Sequence, residues 1–327
     1  MNDSLLPKTF LRWSPPPARR NVLQIASYVA RSLVLSPIYW MLAYTVGTPG
    51  LHFRRRCLWV AARVLLGDAA RGRIRRVYEL IVQPMDSFRY FEFDFVWRCL
   101  RSTNQGRYLD VSSPRLLPLL FIADRPRVDA VLLNPDPKDL PATQQMAREL
   151  RVSMRCEFVN KVMAETVFKD ESFDLITSIS VVEHIPDDTV AILKMWELLK
   201  PGGRLVLTVP CAQNASAEFV DRDEYEVLGK AADGFVFWQR YYDEQLLRTR
   251  IFSVTGFPAE TVIYGEKTAG LYNANISEKM SGEPYPGWRE PYMMGTQYQV
   301  FESISSLPGM AVVGFVFVKP NGSTNLP

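Results

Sequence analysis

The chain has 327 residues, of which 47% are hydrophobic and 22% are charged, and its formal net charge is +3. These values lie near the averages of globular proteins, so they exclude a globally disordered or fibrous chain and predict a sizeable buried core. The four cysteines form no C-x-x-C pair and there are only two histidines, which exclude a disulfide framework and a histidine-rich metal centre. We therefore predict no metal site and a reducing, cytoplasmic environment.

The charge is unevenly distributed along the chain. Residues 1–80 contain 12 Arg and 1 Lys against 2 Asp and 1 Glu, a net charge of +10, which leaves −7 for residues 81–327. This asymmetry predicts a basic N-terminal region that meets an anionic partner, either a nucleic acid or a membrane surface. The alternative is an arginine-rich helical face that is simply exposed to water.

Residues 1–20 are rich in proline and basic residues and are predicted to form a disordered lead. They contain no apolar segment followed by a cleavage site, so no secretory signal is predicted. Residues 21–105 are predicted to be a helical N-terminal region, because apolar residues recur at intervals of three and four. This includes the aromatic segment 84–101, although Phe91, Phe93, Phe95 and Trp97 alternate as they would in a strand.

The most apolar stretch of the chain runs from Leu33 to Val46. It has 14 residues and contains Pro37, whereas a membrane-spanning helix needs about 20 residues. We interpret it as part of a buried or interfacial helix pair. The arginines and aromatic residues around it suit peripheral contact with an anionic bilayer, on the inner face of the membrane. The alternative is that these helices pack on the rest of the protein.

From Arg107 onward, short β-type runs alternate with helical runs. Strands are predicted at 108–111, 128–133, 155–159, 173–178, 204–209, 261–264 and 310–318, and helices at 116–123, 142–150, 189–199 and 244–250. This alternation predicts an α/β fold with a doubly wound, mostly parallel, seven-stranded sheet and an N-terminal helical extension. A ligand crevice is expected at the carboxyl ends of the strands.

Three ordered segments in this region form a recognisable combination: Asp170–Ile176, Val181–Asp187 and Leu198–Val206. Their order and spacing resemble the class I S-adenosylmethionine-dependent methyltransferases, of the methyltransferase type 11 kind. The resemblance covers roughly residues 85–265. It implies a Rossmann-like methyltransferase domain over residues 106–327, S-adenosylmethionine as the cofactor and methyl transfer as the activity.

The resemblance also implies where the cofactor binds. Residues 108–114 stand where the family has a glycine-rich loop after its first strand. The acid of that loop is kept as Asp110, but Ser112 and Pro114 replace glycines, and Ser112 or Ser113 would hydrogen-bond the methionyl carboxylate. At the end of the second strand, Asn134 replaces the acid that grips the ribose, with Asp136 as a substitute.

The remaining cofactor contacts are implied in the same way. Val162 and Met163 replace an acid near the adenine and leave apolar contact to the ring. Ser178 ends the fourth predicted strand and is assigned to the same site. Arg89 lies in a segment that resembles a lid over the cofactor and would pair with its carboxylate. An aromatic core segment is the alternative for Arg89 and its neighbours.

Methyl transfer requires alignment of the acceptor with the methyl group and, for some acceptors, a base. His184 follows the fourth predicted strand, and imidazole titrates near neutrality. We therefore predict His184 as the base or acceptor-orienting group, with Glu183 as its neighbour. The alternative is that His184 caps the next helix or packs structurally.

Residues 212–240 and 265–309 are interpreted as loop-rich insertions that cover the acceptor site. Their aromatic residues predict a small-molecule acceptor of lipid or saccharide type, and no nucleic acid. Ordinary hydrophobic cover of the sheet is the alternative. The residues concerned are Phe235, Phe237, Trp238, Tyr272, Tyr285, Trp288 and Tyr292.

Three other classes of protein are alternatives to a small-molecule methyltransferase. The missing glycines, Asn134 and Val162 also fit a non-catalytic, cofactor-binding or scaffold member of the family. A nicotinamide-dependent oxidoreductase requires a G-x-G-x-x-G turn after the first strand, and the chain has none. A nucleic-acid methyltransferase is disfavoured because the catalytic part lacks a basic face.

Overall fold

The computed structural model describes residues 6–12, 21–66, 73–221, 234–281 and 284–321. Its strands in chain order are β1 Lys8–Leu11, β2 Gln105–Val111, β3 Arg127–Leu133, β4 Cys156–Val159, β5 Phe173–Ile179, β6 Leu199–Cys211, β7 Ser216–Val220, β8 Val236–Tyr241, β9 Glu260–Glu266, β10 Tyr298–Phe301 and β11 Ala311–Val318. Its helices are α1 Val22–Thr45, α2 Phe53–Leu66, α3 Arg73–Val82, α4 Arg89–Leu100, α5 Leu116–Asp124, α6 Asp139–Glu149, α7 Asp188–Leu198, α8 Glu244–Leu247, α9 Ser253–Thr255, α10 Leu271–Met280 and α11 Glu290–Gln297.

The main sheet has eight strands in the order β10-β9-β11-β6-β5-β2-β3-β4. β2 to β6 are parallel, β11 runs antiparallel between β6 and β9, and β10 is an antiparallel edge strand. The chain moves outward from β2 through β3 to β4 and then crosses back to β5. The strand order therefore reverses between β2 and β5, which is where doubly wound sheets open a ligand crevice.

The predicted doubly wound, mostly parallel sheet is confirmed, with one strand more than expected. β10 has only four residues, too few for an alternating pattern to distinguish it from a loop. The insertion 265–309 also contains α10 and α11. Its interpretation as loop-rich was wrong, because short helices that are mostly half-buried show little periodicity.

A second sheet of three strands has the order β1-β7-β8, with β1 parallel to β7. Lys8–Leu11 is therefore ordered, because its backbone pairs with β7, and the prediction of a disordered lead is wrong for these residues. Residues 1–5 and 13–20 of that lead lie outside the described residues. The insertion 212–240 supplies β7 and β8, and its residues 222–233 also lie outside them.

Hydrophobic cores cover both faces of the main sheet. Successive residues of β2, Tyr108 and Leu109, belong to opposite cores. One core includes α2, α4, α5 and α6, and the other includes α7 and α8. α4 is buried almost all round, so its sequence has no polar face, and this is why its aromatic residues alternate without forming a strand.

The stretch predicted as a helix pair is one continuous helix, α1, of 24 residues. The prediction was wrong because Pro37 lies on the exposed side of the helix, where the loss of one backbone hydrogen bond does not break it. Among the described residues, α1 is the one helix long and apolar enough to cross a membrane, judged by length and composition, and 17% of its apolar window is buried.

The centre of β11 is packed tightly against α4. A Cβ atom built on Gly314 would lie 2.5 Å from Cε1 and 2.6 Å from Cδ1 of Phe95. Phe95 is completely buried, so its ring has no free space into which it can move.

We expect Gly314→Ala to lower the free energy of unfolding by about 1–3 kcal/mol, because the added methyl group overlaps the Phe95 ring. Urea denaturation measures the loss. The double variant Gly314→Ala/Phe95→Leu should lose less than the sum of its two single variants. Strictly additive losses would show that this contact does not limit the packing.

Candidate active site

Two groups of polar side chains lie at the carboxyl edge of the main sheet. The first lines a crevice between the ends of β2 and β3, which we call the β2–β3 crevice. The second, which we call the acid cluster, lies beyond the end of β5 and comprises Arg89, Glu92, Ser180, Glu183 and His184. Both groups adjoin the point at which the strand order reverses.

The turn after β2 has the backbone shape of a glycine turn. Ser112 has a φ of +53°, in the left-handed region that side chains other than glycine rarely adopt. Its N–H and its hydroxyl both donate to the carbonyl oxygen of Leu133, at 2.8 and 3.1 Å. Ser112 thus occupies the conformation expected at that position, and its hydroxyl is used to join β2 to β3.

Asp110 fastens this turn to β5. Its buried carboxylate accepts hydrogen bonds from Tyr108 Oη at 3.1 Å, Thr177 Oγ1 at 2.8 Å and the N–H of Ser113 at 3.1 Å. The hydroxyl of Ser113 in turn accepts from the N–H of Ile179 at 3.2 Å. Burial raises the pKa of Asp110 to about 6. Asp110 lines the crevice, but its oxygens are engaged by the protein.

The carboxylate that faces into the crevice belongs to Asp139, at the start of α6. Asn134 Nδ2 donates to it at 2.9 Å, and Arg115 forms an ion pair with it from the other side. Asp136, predicted as a ribose contact, instead accepts from the N–H of Lys138 at 2.7 Å and lies outside the crevice lining. The sequence interpretation missed Asp139 because an acid in the first turn of a helix is common for helix-dipole reasons alone.

The ion pair between Arg115 and Asp139 closes the crevice. The remaining cavity of about 10 Å³ has room for roughly one water molecule. Because the pair is partly exposed, water can hydrate both groups when they separate.

Three predicted cofactor contacts lie away from the crevice lining. Met163 is buried in the core that includes α7, and Val162 precedes the short 3-10 helix that Met163 begins. Ser178 is fully buried within β5, where its hydroxyl has no hydrogen-bond partner among the described residues. The structure therefore does not bring these three to the crevice, because packing directs Met163 and Ser178 into the protein interior.

The fourth, Arg89, belongs to the acid cluster. Its Nη1 lies 2.5 Å from Oε2 of Glu92, which is buried. Oε1 of Glu92 accepts from Thr208 Oγ1 at 2.7 Å and from the hydroxyl of Ser180, whose φ is +48°. This network links the start of α4 to the ends of β5 and β6.

Glu183 and His184 lie on a short 3-10 helix, Val182–His184, next to this network. Nε2 of His184 lies 3.9 Å from Oε1 of Glu183, and Oε2 of Glu183 is buried with no hydrogen-bond partner among the described residues. Burial raises the pKa of Glu183 to about 8, and the nearby Glu92 adds to that effect. Burial lowers the pKa of His184 to about 4.

The tautomer of His184 follows from its contact with Trp238. Nδ1 lies 2.6 Å from the carbonyl oxygen of Trp238, which can only accept, so Nδ1 carries the proton. The lone pair is then on Nε2, the nitrogen that points towards Glu183. At neutral pH the pair therefore consists of a neutral imidazole and a carboxyl group that is mostly protonated.

Two aromatic residues of the insertions lie near the acid cluster, and the others pack against the small sheet or α1. The ring of Trp238 lies 4.9 Å from that of His184, and Tyr272 stacks at 5.3 Å on Phe88, which adjoins Arg89. The other five pack against other parts of the protein. Phe235 and Phe237 contact Phe10 and Phe219 of the small sheet, while Tyr285, Trp288 and Tyr292 contact α1.

Comparison with known proteins gives a match to one family. A family model described as a methyltransferase domain matches residues 109–207. The ubiquinone biosynthesis O-methyltransferase of Xanthomonas oryzae pv. oryzae (strain PXO99A) is 33% identical over 82 residues, which cover 25% of this chain and 33% of that protein.

Two further relatives match over similar lengths. The ubiquinone/menaquinone biosynthesis C-methyltransferase UbiE of Pseudoalteromonas translucida (strain TAC 125) is 39% identical over 70 residues, or 21% of this chain and 24% of that protein. The chloroplastic tocopherol O-methyltransferase of Arabidopsis thaliana is 29% identical over 99 residues, or 30% and 27%. The chain thus spans a third or less of the length of these relatives.

The matched segment contains β3, β4 and β5, the last three residues of β2, most of β6, the whole β2–β3 crevice and the Glu183–His184 pair. These parallel strands and the glycine-type turn at Ser112 thus lie in the part of the chain that the family model matches. Residues 109–207 are therefore similar to a methyltransferase domain over the part of the chain that forms the crevice and most of the acid cluster.

Proposed function

We propose that this protein transfers a methyl group from S-adenosylmethionine to a hydroxyl group of a small, lipid-type acceptor. The observation that carries the proposal is that the turn after β2 connects the β2–β3 crevice with the acid cluster. The β2–β3 crevice offers the carboxylate of Asp139 and the guanidinium of Arg115 to a cofactor. The Ser113–Ile179 hydrogen bond joins this crevice to β5, the strand that leads to Glu183.

The residues of the crevice fit the cofactor chemically. Asp139 would accept hydrogen bonds from the ribose hydroxyls, and Asn134 Nδ2 would donate beside it. Arg115, once released from Asp139, would pair with the methionyl carboxylate. When bound, S-adenosylmethionine supplies a methyl group on a sulfonium whose leaving group is neutral.

Glu183 is the base in this proposal, and His184 is the orienting group. A hydroxyl acceptor must lose its proton as its oxygen takes the methyl group, and an efficient base has a pKa near the working pH. Glu183 meets that condition, with a pKa of about 8, whereas His184 has a pKa of about 4. Of the two roles expected for His184 from the sequence, the proposal keeps the orienting one and gives that of the base to Glu183.

The acceptor class is supported by the names of the relatives and by the surroundings of the acid cluster. Two relatives are O-methyltransferases named for ubiquinone and tocopherol, both of which are lipid-soluble ring compounds. Trp238 and Tyr272 supply aromatic surface beside His184 and Arg89. We propose that the protein meets such an acceptor at the cytoplasmic face of a membrane, through its basic N-terminal helices.

A non-catalytic role is the second candidate, and the closed crevice is the observation that favours it. With Arg115 held against Asp139, the crevice has room for about one water molecule only. Calorimetry with S-adenosylmethionine separates the two candidates, because an enzyme binds the cofactor and a scaffold has no need to.

We expect Asp139→Asn to weaken the binding of S-adenosylmethionine by tenfold or more, measured by isothermal titration calorimetry. The change removes the carboxylate within the crevice while keeping the shape of the side chain. Asp136→Asn is the matched control, because Asp136 lies outside the crevice, and its affinity should equal that of the unmodified protein. Equal losses in both variants would rule out Asp139 as the ribose contact.

We expect Glu183→Gln to lower kcat by about 100-fold or more, the usual effect of removing a general base. The assay follows tritiated methyl transfer to a catechol that carries an alkyl chain. In the unmodified enzyme the rate should rise with pH through about 8, because the ionised form of Glu183 is the active one. In Glu183→Gln that rise should disappear, while cofactor affinity stays the same.

His184→Gln is the companion variant for that experiment. It should lower kcat by a smaller factor and keep the rise near pH 8, because the base is still present. A pH profile that disappears in His184→Gln but persists in Glu183→Gln would return the role of base to the histidine.

Burial of Glu183 also predicts a pH-dependent stability that needs no acceptor. Since its pKa is about 8 when folded and near its ordinary value of 4.5 when unfolded, the folded state binds an extra proton between these values. Stability therefore falls as pH rises through this window. Glu183→Gln should be the more stable protein at pH 9, by on the order of 2–4 kcal/mol, and nearly equal to the unmodified protein at pH 5.

Thermal or urea denaturation at the two pH values measures this difference. Asp110, whose pKa is also raised, is present in both proteins and cancels in the comparison. A difference that is the same at pH 5 and pH 9 would mean that Glu183 is not held in its protonated form.

A further inference from the structure

Helix α1 packs two serines, an alanine and a tryptophan against the protein. Its buried residues are Ser32, Ser36, Trp40 and Ala43, which lie on one face. The hydroxyl of Ser32 donates to the carbonyl oxygen of Val29 or contacts Tyr78 Oη, each at 2.7 Å. This is the reverse of the usual arrangement, in which the apolar face of a surface helix faces the core.

The opposite face of α1 is apolar and exposed. Leu23 is 80% exposed, Val34 66%, Met41 65% and Ile38 42%. These residues recur at intervals that place them along one side of the helix, opposite to the buried serines. Arg31 is the one charged residue of α1. A continuous apolar face of this kind marks a surface that is covered in use.

The inner face of α1 is attached to the protein along most of its length. Near its start, Tyr28 Oη donates to the carbonyl oxygen of Tyr285 at 2.6 Å. In its second half, Tyr39 lies 6.2 Å from Tyr292, measured between ring centres. Just after its end, Thr48 Oγ1 donates to the carbonyl oxygen of Pro291 at 2.7 Å.

This attachment decides between two ways of meeting a bilayer. A helix that crosses a membrane must be surrounded by about 30 Å of hydrocarbon. The inner face of α1 is instead joined to α3, to α11 and to the residues just before α11. Only the outer face is free to enter lipid, which is possible when the helix axis lies parallel to the membrane.

The charge of the region identifies the kind of membrane. Residues 21–85 contain nine arginines, no lysine and two acids. The guanidinium of Arg63 lies 5.1 Å from the ring of Trp59, which is partly exposed. Arginine and tryptophan side chains are suited to the headgroup layer, where anionic lipids attract positive charge.

We propose that α1 lies flat in the surface of an anionic membrane, with Leu23, Val34, Ile38 and Met41 among the acyl chains. The protein is then monotopic, attached to one leaflet by one helix face. This deepens the membrane contact that forms part of the proposed function. It does not depend on methyl transfer, because the contact uses no residue of the crevice or the acid cluster.

The experiment is flotation of the full-length protein with sealed vesicles of phosphatidylcholine and phosphatidylglycerol. The unmodified protein should float with these vesicles and bind poorly to phosphatidylcholine alone. Val34→Glu/Met41→Glu should reduce the bound fraction at least tenfold. The matched control is Val190→Glu/Leu193→Glu, which changes residues that are 53% and 46% exposed on α7, on the other side of the sheet. It should float like the unmodified protein.

Circular dichroism and cofactor binding confirm that each variant is folded. Equal flotation of both double variants would overturn the proposal. So would a dimer that forms without lipid and is lost in Val34→Glu/Met41→Glu, because a second copy would then be the occupant of the face. Failure of methyl transfer with flotation intact would contradict the proposed activity alone.

The orientation of α1 has a test of its own. In a Cys156→Ser background, Asn21→Cys and Arg55→Cys place thiols on either side of α1. Both should react with a membrane-impermeant maleimide when the protein is bound to sealed vesicles, because a flat helix keeps both ends on the outside. Protection of one thiol and not the other would mean that the helix crosses the bilayer.

Discussion

The buried carboxylate of Asp110 is the interaction on which the site depends. It accepts hydrogen bonds from β2, from β5 and from the turn that follows β2. These are the two strands between which the order of the sheet reverses. Without this acceptor, the N–H of Ser113 would lose its partner, and the hydroxyls of Tyr108 and Thr177, which lie 2.6 Å apart, would have only each other. Together with the Ser113–Ile179 hydrogen bond, this side chain holds the turn after β2 against β5.

Burial also shifts the pKa values of two residues of the acid cluster. The same loss of water contact favours the neutral form of an acid and of an imidazole, so it raises the pKa of Glu183 and lowers that of His184. The pKa values of two adjacent residues are thereby shifted in opposite directions. The protonation states of the cluster therefore depend on its burial more than on the residue types that it contains.

Much of this arrangement could be predicted from the amino-acid sequence. The parallel strands are buried on both faces and have continuous apolar runs, and the Glu183–His184 pair follows a recognisable strand. Asp139 could not be found in this way, because its role depends on Arg115 and Asn134, which the fold brings to it. The opposite pKa shifts of Glu183 and His184 depend on burial, which periodicity does not report. The full length of α1 was hidden by Pro37, whose effect depends on which side of the helix it faces.

The left-handed conformation of Ser112 has a consequence for the motion of the site. A residue with a side chain is strained in that conformation, yet here it is secured by two hydrogen bonds to Leu133 and by the neighbouring contacts of Ser113. The loop is thus a rigid part of the crevice. The groups of the crevice that can change position are therefore the partly exposed side chains of Arg115 and Asp139, and not the backbone of this turn.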